Sequence, residues 1–242
     1  MEAKISKSAL NLYLSCNRKY WFSLQGLPKV TTADMQYGID LHEILHHVNY
    51  SLRNANNIGY MNNDIYKVED WEPFYGNYRF YLDTVLPTMQ KLGYDIKNIS
   101  SEEEIIVGDY KGYIDAVLKN KDGKVLIVDF KTQSLLKVFD RENYKLELYF
   151  YIYLYTQKYS IPLEQTEGAI VRFEQKTQEG DINFLQLGKD EYMDILAKAK
   201  YMLDVVSKSD GSFRDFPKID EMNTSRICKY CDYLGLCKKM SQ

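Results

Sequence analysis

Asp115, Asp129 and Lys131 are the residues whose types and spacing could carry hydrolytic chemistry. Asp115 closes Gly112-Tyr113-Ile114-Asp115, and Asp129 and Lys131 stand in Val128-Asp129-Phe130-Lys131 at the end of the next strand. Period-two alternation puts Asp129 and Lys131 on one face with Phe130 buried behind, and a neighbouring strand can bring Asp115 alongside. Two carboxylates and the Phe130 carbonyl make a hard oxygen site suited to magnesium or manganese. A lysine beside it can orient a water and stabilise negative charge developing on a phosphate. Taken alone, a D-x-K triplet is also a common salt bridge at a strand end. His42 changes that reading. One helical turn separates it from Gly38, so a close approach of helix and sheet at the glycine can aim the imidazole at the carboxylates. His42-Glu43-Ile44-Leu45-His46 also satisfies H-E-x-x-H, the pattern of a zinc peptidase. That alternative gives no role to Asp115, Asp129, Lys131 or the cysteines.

The four cysteines are Cys16 and, more than two hundred residues later, Cys228, Cys231 and Cys237 in a C-x2-C-x5-C pattern. Met1-Glu2-Ala3-Lys4 leads into a polar stretch without an apolar signal region, so the cytoplasm is the expected compartment and disulfides are disfavoured there. Four thiolates suit tetrahedral zinc or an iron–sulfur cluster. Zinc sites commonly pair two C-x2-C units, so one solitary distant ligand leans towards a cluster. The alternative is buried unpaired cysteine.

These side chains need elements to position them. A helix capped by Ser6 or Ser8 is expected to run to about Leu24, and a second from Ala33 to Ser51 with Ile39, Leu41, Leu45 and Val48 on its face. Asn54 to Asp70 reads as a polar loop and Trp71 to Leu92 as a helix. Strands follow at Glu104–Val107, Tyr113–Leu118 and Val125–Phe130, separated by Gly108-Asp109 and Lys121-Asp122-Gly123 turns. A long helix, Arg141 to Tyr159, ends before Pro162; strands at Gly168–Phe173 and Ile182–Leu187 and a helix at Lys189–Val206 lead to an irregular cysteine-bearing tail. Tyr144, Tyr149, Tyr151, Tyr153, Tyr155 and Tyr159 crowd the long helix and cannot all share one face, so most are expected to pack rather than stack on bases.

Composition is that of an ordinary globular protein. The chain has 242 residues, 45% hydrophobic and 27% charged, with net charge −3, enough for one sizeable domain and no sign of disorder. Its longest apolar run, Leu148–Tyr155, is too short to span a bilayer. Charge is uneven: residues 1–30 carry a net +4 and residues 226–239 a net +3, leaving −10 for the rest. Two basic ends fit a polyanionic partner, and an acidic middle fits a cation. Arg18, Lys19 and Lys229 beside the cysteines are candidates for phosphate contacts; plain solubility is the alternative.

Taken in order, Gly38-x3-His42, Gly112-x2-Asp115, Asp129-x-Lys131 and Glu147-x3-Tyr151 resemble the RecB-type branch of the PD-(D/E)XK nuclease superfamily. The helical motif there is normally Q-x3-Y, so Glu147 departs from it, and a carboxylate cannot donate as an amide can. Cys16 with the terminal C-x2-C-x5-C is similar to the cluster-bearing members, among them the CRISPR-associated exonucleases of the fourth Cas family. The resemblance implies a restriction-endonuclease-like α/β (α+β) core, a mixed central sheet flanked by helices, as a single domain over residues 1–242. Residues 1–30 and 208–242 would form a subdomain joined by a [4Fe–4S] cluster on Cys16, Cys228, Cys231 and Cys237. It implies a magnesium- or manganese-dependent deoxyribonuclease with His42, Asp115, Asp129 and the Phe130 carbonyl holding the metal. Lys131 would position the attacking water, Tyr151 would support the site or contact DNA, and Glu147 would be a further catalytic residue. Its expected substrates are single-stranded DNA ends, its possible setting CRISPR spacer trimming beside adaptation proteins, with no membrane partner. A non-catalytic DNA-binding scaffold is the alternative, against which the intact Asp115, Asp129 and Lys131 count.

Overall fold

A computed structural model describes residues 5–27, 31–54, 72–132, 138–185, 188–217 and 227–240. Its centre is one mixed six-stranded sheet. Strands β2 (Ser100–Val107), β3 (Tyr110–Lys119) and β4 (Val125–Thr132) form an antiparallel meander, turned at Gly108 and Gly123, both of which hold positive φ. Helix α6 (Val138–Tyr159) carries the chain to β5 (Thr166–Phe173), parallel to β4, and β6 (Gly180–Leu185) returns antiparallel. A two-residue strand at the start, β1 (Ile5–Ser6), pairs with β3 in parallel at Tyr110 and Lys111.

The sheet separates two apolar layers. On one side Leu148, Phe150, Ile152 and Leu154 of α6 are fully buried against the sheet and against α1 (Lys7–Ser15) and α7 (Lys189–Lys208). A helix covered on several sides becomes apolar nearly all round, which accounts for the run Leu148–Tyr155 and for the burial of Tyr144, Tyr149, Tyr151 and Tyr155. On the other side α3 (Ala33–Arg53) packs with the helical stretch α4 (Tyr75–Phe80) and α5 (Leu86–Lys91). A π-helical turn, Tyr81–Val85, joins α4 to α5. Pro87 lacks the N–H that would continue an α-helical ladder there.

Several expectations need correction. The first helix is broken at Cys16, whose backbone is extended (φ −166°, ψ 112°), giving α1 and α2 (Asn17–Leu24). Ser6 caps α1, its side chain accepting from the Ala9 N–H. Ile39 does not face the core: it is 55% exposed, and the buried stripe of α3 is Tyr37, Leu41, Ile44, Leu45 and Val48. Ile39 lies two residues, about 200° around a helix, from Leu41. The expected polar loop beyond Asn54, Trp71 and the residues 186–187 of the last strand lie outside the described residues. The cysteine-bearing tail contains a short helix, α8 (Leu234–Lys239).

Among the described residues no helix is long and apolar enough to cross a membrane.

Candidate active site

The site sits in a fork of the sheet. β3 pairs with β4 from Lys119↔Val125 to Ala116↔Val128 and no further, so the strands part where Asp115 and Asp129 face one another. β1 takes the same edge of β3 beyond the fork, and the chain turns there into α1. Side-chain alternation also slips at Asp115. Ile114 belongs to the layer with α6, whereas Ala116 and Leu118 belong to the layer with α3. Such a slip turns one side chain out of both layers and into the fork.

Both helix layers approach the fork closely because of glycine. A Cβ at Gly112 would stand 2.8 Å from Leu154 Cδ1 and 2.9 Å from Tyr151 Cε1, so the missing side chain lets α6 reach β3. A Cβ at Gly38 would stand 2.7 Å from Thr132 Oγ1, which brings α3 against the end of β4 and carries His42 to the carboxylates. His42 Nδ1 is 3.5 Å from Asp115 Oδ1, and its ring meets Phe130 edge-on at 5.8 Å. The other Asp115 oxygen, Oδ2, accepts the Phe130 backbone N–H at 2.6 Å. Burial alone would lower the His42 pKa, but the hydrogen bond and charge of Asp115 raise it. Asp115 is lowered despite its burial, chiefly through His42.

Asp129 is fully buried, and two ammonium groups hold it. Lys131 Nζ lies 2.6 Å from Asp129 Oδ2 and 2.7 Å from Glu147 Oε2. Lys7 Nζ lies 3.4 Å from Asp129 Oδ1, 3.2 Å from Glu147 Oε2 and 4.7 Å from the centre of the Tyr151 ring. Burial alone would lower both lysines, but Asp129 and Glu147 raise them above the ordinary lysine value. Burial pushes the Tyr151 phenol well up, so it stays neutral.

Glu147 fits where the resemblance would have an amide. Besides the two lysines, Asn11 Nδ2 donates to its Oε1. A glutamine could donate, but every partner here is already a donor, and a carboxylate also balances the second ammonium. Lys7 and Asn11 were not legible as site residues, because their place depends on β1 entering the fork. We expect Lys7→Met to destabilise the fold by about 1–3 kcal/mol, since it leaves charge on two buried carboxylates less compensated. Adding Glu147→Gln should recover part of that loss in a double-mutant cycle read by denaturant unfolding.

His42, Glu102 and Asp115 form a group whose ligand atoms all lie within 4.8 Å of one another; His46 is not in it. An imidazole and carboxylates are a donor set that fits a hard or borderline divalent ion. An open groove of about 570 Å³, lined by Met35, Ile39, His42 and Glu102 among others, leads to this group.

The cysteines lie elsewhere, where the two ends of the chain meet. Cys16, Cys228, Cys231 and Cys237 line one small cavity of about 20 Å³ together with Arg18, Lys19 and Phe22, and none is in a disulfide. Phe22 stacks on Tyr233 at 5.2 Å, and Trp21 Nε1 donates to the Gly211 carbonyl at 2.8 Å. Arg18 lies 4.0 Å over the Phe213 ring and donates to the Phe216 carbonyl, so its guanidinium ties the chain ends together. Lys19 borders the cysteine cavity and Lys229 is exposed. Burial pushes the Cys231 thiol up.

No curated protein matches the chain. Among solved structures, the crystal structure of SSO0001 aligns over 99% of this chain and 87% of that one at 16% identity, with a TM-score of 0.42. A crystal structure named "Putative exonuclease", from Eubacterium rectale, aligns over 97% of this chain and 88% of its own at 9% identity, with a TM-score of 0.54, a likeness of fold. A family profile matches residues 4–238, from the strand that enters the fork to the cysteine-bearing tail, and by that match the chain belongs to the PD-(D/E)XK nuclease superfamily.

Proposed function

We propose that this protein is a magnesium- or manganese-dependent deoxyribonuclease that trims DNA from single-stranded ends. The observation that carries the reading is the convergence of Asp115, Asp129, Lys131 and His42 in one fork of the sheet. A divalent ion bound there would supply Lewis acidity to the scissile phosphate and acidify the attacking water. The protein's own residues do the rest. His42 and Asp115 offer ligand atoms at the groove. Asp129 and Glu147 fix the Lys131 ammonium, which presents charge and a proton donor where the phosphate oxygens gain negative charge. Lys7 adds a second positive charge beside it. Exposed Met35 and Ile39 along the groove suit the faces of unpaired bases better than the backbone of a duplex. The name of the Eubacterium rectale neighbour favours attack from ends. Digestion of end-labelled single-stranded and duplex DNA in Mg²⁺ tests the reading. Stepwise shortening of the single strand is expected; an internal nick pattern with equal rates on both forms would contradict it.

The second part of the proposal is a [4Fe–4S] cluster on Cys16, Cys228, Cys231 and Cys237. Its support is that all four line one cavity between the two ends of the chain, without a disulfide. A four-iron cluster is larger than the cavity of about 20 Å³, so binding it would move the cysteine-bearing tail outward from α2. Cys231→Ser is expected to lose bound iron and to loosen α2 from α8. Iron and sulfide analysis with limited proteolysis checks this; wild-type protein carrying zinc and no iron would contradict it. The same cysteine spacing extends the proposal to CRISPR spacer precursors as substrates and adaptation proteins as partners.

A further inference from the structure

Glu102 lies outside the motifs and has an unusual backbone. Its φ is +54°, a left-handed conformation for a non-glycine residue inside a strand. The β2–β3 ladder runs Ser101↔Ala116 and then Glu103↔Ile114, with no pair at Glu102 and Asp115. β2 changes face at this point, as β3 does. Glu103 pairs with Lys158 on α6, whereas Ser101 accepts from Asn49 on α3 and donates to the Asp115 carbonyl at 2.9 Å. The matched slips leave the register intact and bring the side chains of Glu102 and Asp115 together under α3. Glu102 Oε1 lies 3.9 Å from His42 Nδ1. Asp115 has only Oδ1 to offer a ligand, because Oδ2 is committed to the Phe130 N–H. Asp129, the other motif carboxylate, is ion-paired with Lys7 and Lys131, and its buried Oδ2 accepts no hydrogen bond.

From this geometry we propose that Glu102 is a direct ligand of the divalent ion, completing a His42–Glu102–Asp115 set on the α3 side of the fork, an inference that rests on the nuclease reading. The left-handed backbone serves this placement: an ordinary strand conformation would direct the residue 102 side chain into one of the two layers. Mn²⁺ titration of the full-length protein by calorimetry, without DNA, tests it. Glu102→Gln is expected to weaken Mn²⁺ binding at least about 10-fold, whereas Glu103→Gln, next door and paired with Lys158, keeps wild-type affinity. Glu102→Gly relaxes the backbone and removes the carboxylate, so it must show the same loss while retaining the fold by circular dichroism. Wild-type affinity in either Glu102 variant overturns the proposal. If those variants bind Mn²⁺ and cut DNA as wild type does, the nuclease reading stands and only this inference fails. A wild-type protein that binds no Mn²⁺ overturns both.

Discussion

Asp115→Asn is expected to slow DNA cleavage by about 10²–10³-fold or more while leaving the protein folded. The substitution is nearly isosteric, and the asparagine oxygen can keep the Phe130 N–H that Asp115 Oδ2 now accepts at 2.6 Å. The amide nitrogen would then face His42, where Asp115 Oδ1 stands 3.5 Å from the imidazole. A full negative charge disappears from the group that faces the groove, and a donor replaces an acceptor. Divalent-ion affinity and rate should fall together, with the unfolding transition close to that of wild type. Cleavage rates across a Mg²⁺ titration, alongside denaturant unfolding, check this. A rate within a few-fold of wild type at every Mg²⁺ concentration would remove Asp115 from the machinery.

The other large effect is expected at Lys131. Lys131→Met should abolish measurable cleavage, a loss of at least about 10²-fold, because its ammonium is the charge set by both Asp129 and Glu147. Its removal leaves these carboxylates to Lys7, 3.4 Å and 3.2 Å away. That remaining partner separates the two readouts. An unpartnered buried carboxylate would threaten the fold, whereas one retaining an ammonium need not. The variant is therefore expected to fold, bind Mn²⁺ and fail in turnover. Loss of activity that merely tracks loss of folded protein would instead assign Lys131 a structural salt bridge, the alternative reading of a D-x-K triplet.

The motifs were legible for reasons local to single elements. Four-residue steps on helices pair Gly38 with His42 and Glu147 with Tyr151, and a two-residue step on β4 pairs Asp129 with Lys131. The close approach expected at Gly38 is present, against Thr132. Lys7 and Glu102 could not be read in this way. Lys7 reaches Asp129, 122 residues away, because β1 occupies the edge that β4 abandons. Glu102 depends on two strands changing face at the same level, and strict alternation predicts the opposite. Cys16 illustrates a third kind of miss. Helical periodicity continued through it, but an extended residue there splits one expected helix into α1 and α2.

We propose metal-dependent DNA hydrolysis at the fork of β3 and β4. Its most direct test is cleavage of labelled single-stranded DNA by purified wild-type protein and by Lys131→Met. Both are assayed in excess chelator and then with Mg²⁺ or Mn²⁺ restored. No cleavage by either protein is expected in chelator, with recovery on adding metal by wild type alone. Equal wild-type cleavage with and without chelator, or recovery of Lys131→Met to the wild-type rate, would contradict it.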